Sequence, residues 1–137
     1  MIGHVELPTC GLWLSRDRAT ATILDGDDHL FRIRIPHTDE EQCWDSLRLL
    51  QGEFGLDLRL VVPEPTSRLA ILVRTALLRE MPVLAAPGML VETIGAVAFS
   101  RPAPRHYACI LARLPDSRFR GHLRTLPPKD SRQLELL

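Results

Sequence analysis

Glu64, held between two prolines in "LVVPEPTSR", and Asp17, in the polar connection "SRDR", are acids of the side-chain type that a divalent ion takes. Hydrolysis by two divalent ions needs several carboxylate oxygens converging on ions a few ångströms apart, so that the attacking and departing oxygens are both clamped. A site built from Asp17, Glu64 and a third ligand would take magnesium or manganese; one glutamate alone gathers neither. Glu64 also has a plainer use, because a carboxylate at a strand's end favours the positive end of the following helix. His106 and Cys109, one helical turn apart, offer two zinc ligands, but a structural site takes four and no second pair stands at usable spacing. Ser15 and Cys43 lack the glycine spacing or partner histidine that would make either a nucleophile, and no glycine-rich phosphate loop is present. These residues predict no metal and no cofactor, with magnesium or manganese entering only through an atypical acidic site.

The cations are unevenly placed. Residues 1–100 carry nine arginines against fourteen acids, whereas residues 101–137 carry eight basic groups against Asp116, Asp130 and Glu135, so a chain of zero net charge ends five charges basic. Arg101, Arg105, Arg113, Arg118, Arg120 and Arg124 are therefore the candidate contacts to nucleic-acid phosphates or an acidic partner. Cys10, Cys43 and Cys109, an odd number far apart, argue against a disulfide framework and for buried thiols in a reducing compartment. No basic leader precedes an apolar run, and no stretch approaches the length of a membrane span, so the expected location is cytoplasmic.

The elements that must position these groups follow from periodicity. "GLWLS", "TATIL" and "HLFRIRI" read as three antiparallel strands joined at "RDRA" and at the Asp-Gly turn of "LDGDD". Phe31, Ile33 and Ile35 alternate with Arg32 and Arg34, which gives the third strand one wet face. Thr38 and Glu41 form a capping box before a helix from about Asp39 to Phe54, in which Cys43, Leu47, Leu50 and Phe54 share a face and which Gly55 ends. "LDLRLVV" is a strand entering the covered middle of a sheet. A second helix runs from Thr66 or Ser67 to about Met81, "VLAA" is a buried parallel strand ended by Pro87 and Gly88, and "MLVETIGAVAF" and "RHYACILARL" are two further helices separated by prolines. The chain thus reads as an α/β domain over residues 1–115, with a basic tail over residues 116–137.

That order resembles the ribonuclease H-like fold, a mixed five-stranded sheet of three antiparallel and then two parallel strands with helical crossovers. The local sequence is similar to the N-terminal domains of RuvC-like DEDD transposases over about residues 10–115. Their opening strand, roughly Gly-Ile-Asp-Val-Ser and a basic residue, is matched by "GLWLSRDRA" from Gly11 to Ala19 except at the aspartate, where Trp13 stands. The resemblance places Glu64 at the family's glutamate and likens "VLAAPGMLV" to its strand, Asn-Pro and helix. Two further aspartates of the family have no counterpart in "APRHYACILAR", so one acidic position of four survives. An indole offers no oxygen donor, and Trp13 is expected to pack against the sheet or form an aromatic surface.

After "LPPKDS", a stretch suited to a tether, the last five residues "QLELL" resemble the bacterial sliding-clamp-binding peptide. The resemblance implies that Gln133 supplies amide hydrogen bonds while Leu134, Leu136 and Leu137 fill an apolar groove; docking of these leucines on the protein's own core is the competing use. The sequence as a whole is read as a non-catalytic ribonuclease H-like accessory in DNA replication, repair or mobile-element biology, binding a sliding clamp or DNA. Two other readings stand beside it: a divalent-metal-dependent nuclease with an atypical ligand set, and a protein-interaction subunit, dimeric through an exposed sheet edge.

Overall fold

Thr9–Ser15 (β1) and Arg18–Leu24 (β2) pair antiparallel over their whole length, and the turn between them places Arg16 at φ 57°. The computed structural model describes residues 7–26 and 29–126. Leu30–Pro36 (β3) returns alongside β2, with Thr20 opposite Arg34 and Thr22 opposite Arg32. Glu40–Phe54 (α1) then crosses to Arg59–Glu64 (β4), which lies parallel to β1. A 3-10 turn, Thr66–Leu69, leads into Ala70–Leu78 (α2) and then Val83–Pro87 (β5), parallel to β4. Gly88–Ala98 (α3) and Pro104–Arg113 (α4) follow, and Arg124–Thr125 (β6) pairs antiparallel with β5.

The result is an α/β architecture with a mixed six-stranded open sheet in the order β3-β2-β1-β4-β5-β6. Alternation along each strand sends side chains to two cores. Cys10, Leu12, Ala21, Ile23, Leu60 and Val62 meet α1 and α2 on one face, while Val61 and Ala86 meet Val91 of α3 and Ile110 and Leu111 of α4 on the other. Gly11 sets the second contact. A Cβ there would stand 2.0 Å from the carbonyl oxygen of Ala108, so only a glycine lets α4 approach β1 this closely.

Four details differ from the sequence expectation. The cap of α1 is Asp39, whose carboxylate accepts from the Gln42 N–H at 2.9 Å, and not the Thr38–Glu41 box. The second helix begins as a 3-10 turn and ends at Leu78, because Glu80 takes a left-handed φ of 61° and the Met81 N–H folds back to the Ala76 carbonyl. A sixth strand is added to the five expected; two residues carry no readable alternation. Phe31 and Ile33 remain 46% and 37% exposed because β3 is the sheet's edge, and of its apolar set only Ile35 is buried. No helix among the described residues is long and apolar enough to cross a membrane.

Candidate functional site

β1 and β4 are parallel neighbours, yet the chain leaves β1 toward β2 and β3 on one side and leaves β4 toward β5 on the other. Open sheets form a crevice outside the carboxyl ends of the strands at such a switch point. The opening has a local cause. Arg59 donates its N–H to Pro8 and Leu60 donates to Pro82, so odd-numbered residues of β4 face β1. Pro63 falls on that side without an N–H to give, and the ladder to β1 stops at Gly11 and Val61. Beyond it lies a cavity of about 280 Å³ lined by Trp13, Leu14, Glu64, Arg68, Met89 and Glu92, among others.

The Trp13 indole stacks on the ring of Tyr107, with centroids 4.4 Å apart and planes inclined by 24°. Tyr107 reaches that place because α3 offers Gly95 beside it: a Cβ there would stand 2.6 Å from the Tyr107 Cε1. Offset stacking of this kind contributes about 0.5–1.5 kcal/mol beyond the area it buries. Trp13 is thus a packing residue between the sheet and α4. The Glu64 Oε2 accepts from the Arg124 Nη2 at 2.9 Å, a pair delivered by the pairing of β6 with β5. The expected role of Glu64 at the next helix is corrected: the following turn is capped by Pro65 with no side-chain bond, and the carboxylate turns to the guanidinium.

The side chains in this crevice do not fit a pair of divalent ions. Its carboxylates are Glu64, already countered by Arg124, and Glu92; Arg68 adds a second cation. Among the described residues no three His, Cys, Asp or Glu side chains come together as a metal site. Asp17 sits exposed in the β1–β2 turn, outside the cavity lining.

The remaining candidates lie outside the crevice lining. Arg105, Arg113 and Arg120 line three different cavities, Arg118 lies 5.0 Å from the centre of the Phe119 ring, Arg101 is exposed, and Arg124 holds Glu64. His106 accepts the Ala103 N–H through Nδ1 at 2.9 Å and stacks on Phe99 at 4.1 Å, so it serves the start of α4. All three cysteines are free. Burial pushes the Cys10 thiol up to about 12, and burial followed by the nearby Asp39 and Glu40 pushes Cys43 up to about 11, which keeps both protonated and unreactive at neutral pH. Arg59 is the best-anchored cation, bonded to Thr9 Oγ1 at 2.7 and 3.0 Å and to Asp116 at 3.0 Å, and it ties β4 to β1 and to the turn after α4. Gln133, Leu134, Leu136 and Leu137 lie outside the described residues.

Sequence reasoning missed Tyr107 and the pairing of Arg124 with Glu64. Their partners lie 94 and 60 positions away, and only the assembled sheet unites them. Fold and site together define an α/β protein whose switch-point crevice carries an aromatic stack at Trp13 and carboxylates and guanidiniums in equal number. No protein-family model matches this chain, and no curated protein matches it in sequence.

Proposed function

We propose that this protein is a non-catalytic ribonuclease H-like accessory in DNA replication, repair or mobile-element biology, making its contacts to DNA or to a sliding clamp. The strand order β3-β2-β1-β4-β5, with helices following β3, β4 and β5, supports the ribonuclease H-like reading. The observation that carries the non-catalytic reading is the Trp13–Tyr107 stack beside a Glu64 bound to Arg124, in the crevice where such folds gather their acids. DNA contact is assigned to the basic residues from Arg101 to Arg124, and clamp contact to Gln133, Leu134, Leu136 and Leu137. Deleting residues 133–137 should abolish binding to a bacterial sliding clamp while the melting temperature stays unchanged. Equal clamp binding by the truncated chain would overturn that assignment. Glu92 beside Glu64 is the feature that favours the alternative, a metal-dependent nuclease with an atypical ligand set; in that case Glu64→Ala removes a magnesium- or manganese-dependent cleavage activity.

A further inference from the structure

A second cavity, of about 290 Å³, lies between β3 and the start of α4, and its polar lining consists of Ser15, Thr20, Arg32, Arg34 and Arg105, with Ala103 and Pro104 beside them. Strand register explains the convergence. Arg32 pairs with Thr22 and Arg34 with Thr20, and Thr20 pairs in turn with Trp13, so both guanidiniums leave β3 on the face that carries Trp13 and α4. Two residues apart on one strand, Arg32 and Arg34 have Cα atoms about 7 Å from each other, a spacing from which their side chains can reach neighbouring phosphates of an extended nucleic-acid strand. Arg105 joins them from the first turn of α4, where the helix dipole adds positive potential. No carboxylate lines the cavity, and among the described residues none of the three arginines has an ion-pair partner.

Each guanidinium presents five N–H donors in a planar fork, whereas one carboxylate offers about four acceptor sites. Three forks and two hydroxyls therefore exceed what a single acidic side chain accepts, and the repeat along β3 suits a polymer of phosphates. We propose that this cavity is a binding site for the phosphodiester backbone of a nucleic-acid strand. Arg32 and Arg34 take successive phosphates, and Arg105, Ser15 and Thr20 close around the nearer one. Ser15 follows Leu14, which lines the switch-point crevice, so the two cavities adjoin along β1. The proposal rests on the DNA-contact reading and moves its centre to two arginines of the acidic N-terminal portion.

The test is fluorescence anisotropy of the full chain with a labelled single-stranded oligonucleotide over a salt series, with inorganic phosphate as a second probe. The unaltered protein should bind with a salt slope of about 0.7 for each phosphate it neutralises, and Arg32→Gln/Arg34→Gln should weaken binding by tenfold or more and make the slope shallower by about that amount for each phosphate no longer neutralised. Arg105→Gln should weaken it as well, Arg32→Lys/Arg34→Lys should keep the slope while losing part of the affinity, and Arg48→Gln on α1 should change nothing. All three arginines are exposed, so unaltered melting temperatures will show that the variants fold. Oligonucleotide binding that is indifferent to Arg32, Arg34 and Arg105 would overturn this site and leave the DNA-contact reading standing. Affinity for inorganic phosphate alone, or for neither probe, would overturn both.

Discussion

Arg124 stands beside Glu64 as its counter-charge, and the two side chains are 59% and 36% exposed. An ion pair so open to water contributes about 0–1 kcal/mol, because solvent screens it and both side chains lose freedom. Arg124→Gln should therefore lower unfolding free energy by no more than about 1 kcal/mol in urea titrations; a loss of several kcal/mol would mean that the pair anchors β6. The thiols predict a pH dependence of definite sign. Native Cys10 and Cys43 hold their protons to about 12 and about 11, against an ordinary value of 9.0. Between those limits the unfolded chain releases protons that the native chain retains, so stability falls as pH rises, by up to about 1.4 kcal/mol per pH unit for each thiol. Urea unfolding from pH 7 to 10 should show no contribution from these groups below pH 8 and a decline beginning near pH 9, which Cys10→Ala makes shallower. A stability that Cys10→Ala leaves with the same decline would contradict this account of Cys10.

Among the elements, α4 and β3 carry opposite lessons. α4 lies on β1 with no room for a methyl group at position 11, and the atoms in the way are backbone. Gly11→Ala should cost about 3 kcal/mol or more, read as a drop in thermal midpoint, because a backbone contact cannot turn aside; an unchanged midpoint would show that α4 is free to shift. β3 is an uncovered edge, but it is a poor site for self-pairing. Any central two-fold register sets Arg32 or Arg34 opposite an arginine of the second copy, and like charges directly opposite destabilise a ladder. Light scattering should find a monomer, and a dimer broken by substitutions in β3 would contradict this. The long periodic segments were legible: β1 to β5 and all four helices lie where alternation and helical spacing put them, give or take a turn. Asp39 displaced Thr38 as the cap because both are capping residues and periodicity does not choose between neighbours. β6 was illegible because two residues contain no period.

At the scale of the whole molecule, the site divides in the same way. That Trp13 offers no oxygen donor from the middle of its strand, and that Glu64 has no acidic neighbour nearby along the chain, was visible in the sequence. What surrounds them was not, since Tyr107 and Arg124 reach the crevice only through the placement of α4 against Gly11 and of β6 against β5. Of the basic charge counted along residues 101–137, Arg124 meets Glu64, and Arg105 meets Arg32 and Arg34 from an acidic portion of the chain. Charge counted along a chain is not charge in space. The proposal at this scale is that the switch-point crevice performs no metal-assisted hydrolysis. It is tested most directly by incubating the protein with branched, single-stranded and RNA–DNA hybrid substrates in magnesium or manganese, with Glu64→Ala in parallel. The account predicts the same background cleavage from both proteins, and a metal-dependent cleavage that Glu64→Ala abolishes would contradict it.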